Sequence, residues 1–382
     1  MISTKAQNIS PFIVMEVLER ANILEKQGKN IIHLEVGEPD FNVPSCILKA
    51  SEIAMKEGRT HYTHSLGDPE LRQEICNSYL KNYGVVISPD QIIVTSGTSP
   101  AILMILAVLC EPDDEIILSD PGYACYPNFI MFTGAKAVKV PVYEEDGFQY
   151  RPENICSAIT NRTKSIMINS PMNPTGNLLS EETLKAIAKF SPPIISDEIY
   201  HGLVYNDRAH SILEYTRNAF VLNGFSKLYA MTGLRLGYVI APERFIRPMQ
   251  KIQQNLFICA GSVAQRAGIA ALREADADVE HMKNIYNERR IYMISRLREL
   301  GFRITVEPTG AFYVFVDARH LSCDSYKLAF DILEKAHVGV TPGIDFGENG
   351  EGYLRLSYAN SLENIAEGLN RLDRYIKEFK PF

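Results

Sequence analysis

The chain contains no tryptophan, and none of its apolar runs approaches the ~20 residues that a membrane-spanning helix requires. No membrane partner is therefore expected. The first residues, MISTKAQNISPF, lack the apolar core of a secretion signal. Positive charge is in deficit: 39 Lys and Arg stand against 46 Asp and Glu, a formal net charge of -7. That balance argues against nucleic acid or an anionic membrane surface as the main partner. Cysteine pairs in C-x-x-C spacing are missing as well. The seven cysteines, at 46, 76, 110, 125, 156, 259 and 323, are an odd, scattered set, which reads as reduced thiols in a cytoplasm. The eight histidines form no metal-ligand pattern. His61 and His64, in HYTH, make a poor site by themselves, so no metal is expected.

What is present is a large core. The 382 residues are 46% hydrophobic, enough for about two domains. PFIVMEVLERANILEKQG, residues 11–28, has helical periodicity and a glycine stop. The short apolar stretch IIHLEV follows. Seven strand candidates come next: QIIVT (91–95), EIILS (115–119), AVKVPV (137–142), SIMINS (165–170), PIISD (193–197), AFVLN (219–223) and YVIAP (238–242). Helical patterns such as AILMILAVLC and SEETLKAIAKF lie between many of them. Solid apolar strands alternating with helices predict a parallel α/β sheet with both faces covered. After Pro242 the pattern reads as two long helices to about Leu300, then FRITVEP, AFYVFVDA and YLRLSYA as strands, with the helix SYKLAFDILEKA among them.

Ligands of open α/β sheets bind beyond the carboxyl ends of the strands. Four candidates end there in polar or small residues, and each end has two readings. SGTSPAI is a tight turn with a Ser/Thr cap, or a phosphate cradle at a helix start. It is neither GxxxxGK[ST] nor GxGxxG, so an NTPase or dinucleotide site is not indicated. NPTG, 173–176, is a turn, or it places the Asn173 amide in a crevice. Asp197, after PIIS, is a helix cap, or an anion aimed at a protonated ring nitrogen. Lys227, in GFSKLYAMTGLRLGY, snorkels to water, or is held inward for chemistry. Arg235, among apolar residues and glycines, needs an anion partner. Arg355, in YLRLSYA, faces solvent on an edge, or holds a carboxylate bidentately. The plain readings are independent of one another. The others form one hypothesis: a phosphate site, an anion for a pyridinium, an amine able to form a Schiff base and a carboxylate clamp together describe pyridoxal phosphate and an amino acid.

NPTG, DEIY, SK followed by GLRLG, and RLSYA occur here in that order. With these motifs the sequence resembles the fold-type-I, class I/II aminotransferases of pyridoxal phosphate, most closely the aspartate aminotransferase-like subgroup. The likeness runs from LEVGEPDF to LRLSYA. It implies an α/β fold of the PLP-dependent transferase type. A large, mostly parallel seven-stranded sheet domain covered by helices would span 45–285. A smaller α+β domain would come from both chain ends, 1–44 and 286–382. The implied activity moves an α-amino group from an L-amino acid to a 2-oxo acid, 2-oxoglutarate by default, in a ping-pong cycle with an aspartate or broad-range donor. A pyridoxal-phosphate C–S β-lyase releasing pyruvate and ammonia carries the same cofactor motifs. A cofactor-sensing regulator would need an additional DNA-binding domain, for which the two domains leave no chain.

By the same resemblance, Lys227 would bind the cofactor covalently and carry the proton of the 1,3-shift. Asp197 would keep the ring nitrogen protonated. Asn173 and Tyr200 would bond the ring's phenolic oxygen, and Tyr123, in DPGYACYP, would stack on the ring. Gly97, Thr98, Ser99, Ser226 and Arg235 would hold the phosphate. Tyr62 would reach the phosphate of a neighbouring subunit in a homodimer with shared active sites. Arg355 would bind the substrate carboxylate, helped by Gly37 and Asn173. Two features depart from the pattern without touching the cofactor: Pro100 follows the phosphate turn, at a position where proline is tolerated, and Tyr123 holds the stacking position in a chain without tryptophan. No second Arg or Lys can be placed to read a side-chain carboxylate. SPFIVM, 10–15, and Phe257, in NLFICAG, read as tolerance for apolar or aromatic side chains or as ordinary packing.

Overall fold

After a two-residue strand, β1 (Ile32–His33), the seven apolar segments become the seven strands of one sheet. They are β2 (Ile92–Thr95), β3 (Glu115–Asp120), β4 (Lys136–Pro141), β5 (Thr163–Asn169), β6 (Ile194–Asp197), β7 (Ala219–Gly224) and β8 (Gly237–Ile240). Their spatial order is β2-β8-β7-β6-β5-β3-β4. The computed structural model describes residues 2–379; Met1 and residues 380–382, the outer ends of the expected smaller domain, lie outside the described residues.

Both faces of this sheet are covered, which is why its inner strands are mostly apolar rather than alternating; the edge strand β4 exposes Lys136 and Lys139. Ile92, Val94, Ile117, Ile166, Ile194 and Val221 face one core. Ile93, Ile116, Met167, Ile195, Phe220 and Val239 face the other. Each such side chain, fully buried, stabilises the fold by about 1.5–3 kcal/mol. Strand β8 runs antiparallel to both neighbours, β2 and β7. Its link to β7 is only residues 225–236, and an antiparallel pair needs no helical crossover. The remaining strands run the same way, so the carboxyl ends of β2, β5, β6 and β7 share one edge of the sheet.

The helices before the second sheet are α1 (Thr4–Asn8), α2 (Ile13–Lys26), α3 (Ser45–Lys56), α4 (Pro69–Tyr83), α5 (Thr98–Leu109), α6 (Tyr126–Phe132), α7 (Pro152–Ala158) and α8 (Glu181–Ile187). Where two long helices were expected after Pro242 there are three: α9 (Glu243–Leu256), α10 (Ser262–Glu274) and α11 (Asp276–Glu299). Ile258 at φ 68° breaks the chain between the first two, and only Ala275 separates the last pair. A non-glycine residue in that region ends a right-handed helix.

The second sheet is antiparallel, in the order β11 (Thr341–Pro342), β12 (Tyr353–Ser357), β9 (Tyr313–Asp317). Beside it, β1 pairs in parallel with β10 (Val338–Gly339). Helices α12 (Ser325–Ala336) and α13 (Leu362–Glu378) pack against these strands, as does α11. FRITVEP is not a strand. Phe302 and Ile304 are buried, as its alternation demands, but its only pairing is an isolated bridge from Arg303 to Asp317. Pro308 closes the segment without an N–H to extend a ladder.

Candidate active site

The carboxyl ends of the parallel strands and the start of α2 enclose a cavity of ≈ 210 Å³. Tyr123, Asn173, Asp197, Tyr200, Lys227 and Arg355 line it, with Gly37 and Thr98. Tyr126, Asn169 and Tyr313 line it too and were not singled out from the sequence.

Lys227 stands in the turn that leaves β7, and its Nζ donates to the Gly37 carbonyl (2.7 Å). Burial lowers its pKa to about 8; the positive charges of Arg355 and Arg235 act in the same direction, and the Glu38 and Asp197 carboxylates oppose it. The lysine is therefore turned inward. Asp197 ends β6. Its Oδ2 accepts from the Tyr126 hydroxyl (2.7 Å) and its Oδ1 from the Ile199 N–H (3.1 Å). Burial pushes this carboxyl up to about 6 in spite of those two donors and the Lys227 charge. Asn169 donates to the Asp197 carbonyl (2.9 Å) and accepts from the Asn173 N–H (2.8 Å), so one amide fixes the ends of two loops. Tyr126 opens α6 three residues after Tyr123, and the two rings meet edge-on with centroids 5.0 Å apart.

Arg355 faces inward from β12. It donates to Asn173 Oδ1 (2.9 Å) and, through Nη2, to the Glu35 carbonyl (2.6 Å) and Thr341 Oγ1 (3.2 Å). Its Nε is buried with no protein partner. The guanidinium carbon lies 4.4 Å from the centroid of the Tyr313 ring, and the Tyr313 hydroxyl meets that of Tyr200 at 2.8 Å. Gly37 has to be glycine, because a Cβ there would fall 1.8 Å from the Tyr313 hydroxyl.

The segment under Arg355 carries its own ion pair. Glu35 is fully buried, one oxygen unpartnered and the other 2.6 Å from His33 Nδ1. That hydrogen bond pushes the His33 pKa up to about 9 against the opposing effect of burial. A raised folded-state value means that the pair's stabilisation is complete below about pH 6.5 and is lost as pH rises through about 9. Thermal midpoints measured at pH 7 and pH 10 should therefore fall further for the wild type than for His33→Gln. Parallel falls would remove this role.

At the helix-start turn, α5 begins at Thr98 with no side-chain cap, after Gly97 at φ 88°. A Cβ on Gly97 would lie 2.6 Å from Arg235 Nη2, and one on Gly237 would lie 2.8 Å from the Gly97 carbonyl carbon. The two glycines thus let the guanidinium and the helix start approach each other. Ser226 is buried beside Lys227, whereas Ser99 is exposed. Arg235 is exposed rather than enclosed by apolar side chains, so the desolvation argument for an anion partner does not apply to it in this chain; it donates to the Thr232 carbonyl (3.0 Å). Tyr62 is 80% exposed and lies outside the cavity. Phe257 packs against the core of the large sheet and does not line the cavity.

Residues 29–372 match the model of the family "Aminotransferase class I and II". The chain belongs to that family. An aminotransferase of Methanocaldococcus jannaschii, the (5-formylfuran-3-yl)methyl phosphate transaminase, is 41% identical over 99% of this chain and 100% of its own. The aspartate aminotransferase of Pyrococcus horikoshii is 39% identical over 95% of this chain and 94% of its own. A solved structure from Methanococcus jannaschii, described as similar in its active site to kynurenine aminotransferases, superposes with a TM-score of 0.92 at 40% identity, covering 98% of this chain and 100% of that one. The chain is thus an aminotransferase, with the expected α/β fold. Among the described residues no helix is long and apolar enough to cross a membrane.

Aminotransferases of this family use pyridoxal phosphate, and the residues present fit that group. The uncapped start of α5, the two glycines that leave no room for a Cβ, the hydroxyls of Thr98 and Ser226 and a guanidinium make a donor set suited to a phosphate. A carboxylate and an inward amine face the same cavity.

Proposed function

We propose that this aminotransferase takes its amino group from L-amino acids with apolar or aromatic side chains and passes it to 2-oxoglutarate in two half-reactions. We further propose that it works as a homodimer with shared active sites. The single observation that carries the donor reading is the apolar wall of the cavity: Phe12, Val14 and Met15 at the start of α2, and Val36. The cations among the lining residues are Lys227 and Arg355. A side-chain carboxylate turned to that wall would lose hydration without a partner. The relative from Pyrococcus horikoshii is named for aspartate, so the wall, not overall identity, supports the choice. The kynurenine-type likeness of the solved relative agrees with it.

When bound, pyridoxal phosphate supplies the carbon that takes up the amino group and a ring that withdraws electrons from the substrate's α carbon. In this reading Arg355 grips the α-carboxylate with its free Nε–H, and Asn173 and Gly37 fix its orientation. Lys227 Nζ, its pKa lowered to about 8, has a free-amine fraction near neutral pH and moves the α proton. Asp197, oriented by Tyr126, holds a proton on the ring nitrogen. Tyr200 and Asn173 bond the ring oxygen, and Tyr123 stacks on the ring. Gly97, Thr98, Ser99, Ser226 and Arg235 hold the phosphate, and Tyr62 reaches that of a partner subunit. The outward position of Tyr62, 80% exposed, supports a role outside its own cavity. The separation of the seven-stranded sheet from the two smaller sheets supports a division into residues 45–285 and the two chain ends. The seven free cysteines support a cytoplasmic setting.

The test is a half-reaction screen of the holoenzyme with single amino acids and no oxo acid. Phenylalanine and leucine should convert the cofactor to its amine form about tenfold faster than aspartate, within the range one pocket contact discriminates. 2-Oxoglutarate should reverse the change. Aspartate as the fastest donor would sink the donor reading. Ammonia and pyruvate without a stable amine form would mean a β-lyase.

A further inference from the structure

We propose that Asp345 is a positioning residue for donor specificity: its carboxylate holds the start of α2 in place as the wall against which the substrate side chain is measured. The inference rests on the apolar-donor reading above and adds the residue that enforces it.

Helix α2 has no cap of its own, because Phe12 precedes it with no side-chain hydrogen bond. Its first N–H groups would otherwise go without a protein partner. They are taken instead by one carboxylate from the far end of the chain: Ile13 N–H donates to Asp345 Oδ1 (3.0 Å) and Val14 N–H to Asp345 Oδ2 (3.3 Å). An anion at a helix start is also favoured by the aligned peptide dipoles. The residues so fixed are the ones that build the wall, Phe12, Val14 and Met15.

The place of Asp345 in the fold gives this contact its meaning. It lies in the turn Gly343–Phe346 between β11 and β12. Strand β12 carries Arg355, and Thr341 on β11 bonds the same guanidinium. One hairpin therefore fixes both ends of a ruler: the carboxylate clamp through Arg355 and the side-chain wall through Asp345. A second tether holds the segment from the other side. Ser10 N–H donates to Asn128 Oδ1 and Asn128 Nδ2 donates to the Ser10 carbonyl, both at 3.1 Å. Asn128 is on α6, the helix that begins with Tyr126. The Phe12 ring meets Tyr123 edge-on, with centroids 6.1 Å apart. The tether through Asn128 is exposed and the one through Asp345 is partly buried, so Asp345 is the stronger hold.

A long side chain uses the wall and a methyl group does not reach it. Loosening the wall should therefore penalise large donors alone. The experiment compares phenylalanine, leucine and alanine in the half-reaction of the holoenzyme, for the wild type, Asp345→Asn and Asp345→Ala. Amide hydrogen exchange over residues 12–15 is followed in parallel. Asp345→Ala should lose about fivefold to tenfold in kcat/KM for phenylalanine and leucine, the fold-change that accompanies loss of one helix cap. Alanine should stay within about twofold. Exchange at Ile13 and Val14 should quicken by a similar factor. Asp345→Asn keeps one acceptor oxygen and should fall between, and it decides the matter if Asp345→Ala does not fold. Faster exchange with an unchanged phenylalanine-to-alanine ratio would overturn the proposal, leaving Asp345 a cap without influence on specificity. Equal losses for all three donors, or unchanged exchange, would overturn it too. A wild type that prefers aspartate would instead defeat the donor reading, a result visible before any variant is made.

Discussion

Lys227→Ala is expected to lower amino transfer by about 10⁴-fold or more, the upper end of what one positioned proton carrier contributes, in a protein that still folds. The fold should survive because the side chain is not held there by a favourable burial. Its amine has one hydrogen bond, to the Gly37 carbonyl, and burial lowers its pKa to about 8. A lowered lysine pKa means that the charged form is disfavoured in the native state, so truncation removes a cost. The thermal midpoint of the variant without cofactor should therefore equal or exceed that of the wild type at pH 7. Activity should fall this far even where the proposed phosphate-binding residues, which do not include Lys227, still retain the cofactor. Single-turnover spectra with phenylalanine, together with a melting curve, separate the two effects. Wild-type transamination by Lys227→Ala would remove the assignment of the lysine and, with it, the functional reading of the cavity.

The sheet and the cavity were legible to different degrees. Most of the seven strands could be read because they are buried on both faces, and segments such as QIIV and SIMIN have no competing polar pattern; β4, at the sheet edge with Lys136 and Lys139 exposed, is the exception. FRITVEP misled because alternating burial is necessary for a strand but not sufficient. Its Phe302 and Ile304 are inside, yet only one bridge pairs it. The motifs at the ends of β5, β6 and β7 pointed to one crevice, and Asn173, Asp197 and Lys227 line one cavity there, since strand ends are where an open sheet leaves a crevice. Tyr126 escaped notice although YACYP contains it, because only the geometry reveals a hydroxyl aimed at Asp197. Asn169 could have been found: it is the polar residue closing an apolar strand, as Asp197 is. Asp345 could not. Its contact with the start of α2 spans 332 residues, and no local pattern encodes a cap supplied from that distance. Arg235 has apolar sequence neighbours, yet its side chain is exposed, with the guanidinium beside Gly97 and the Thr232 carbonyl.

Asp197→Asn should separate chemistry from stability more sharply than any other single change. The amide keeps the shape of the site, with its oxygen for the Ile199 N–H and its NH2 donating to the Tyr126 hydroxyl oxygen, and loses the negative charge. If that charge keeps the ring nitrogen protonated, kcat should fall by about 10²–10³, or ~2.7–4 kcal/mol, the scale of a preorganised electrostatic contact. Asp197→Ala should lose at least as much. Stability should move the other way. Burial raises the Asp197 pKa from 3.8 to about 6 in the absence of a counter-cation stronger than Lys227. A carboxyl with a raised folded value favours the native state fully only below about pH 3.8, and that advantage is lost as pH rises through about 6. The protein without cofactor should therefore melt higher as Asp197→Asn than as wild type at pH 7, with the gap closing toward pH 4. A buried, under-compensated anion at the end of β6 is costly to the empty fold and useful only when a cationic ring sits beside it. A variant that is less stable at pH 7 and keeps its kcat would show the opposite, a carboxylate held for folding and not for catalysis.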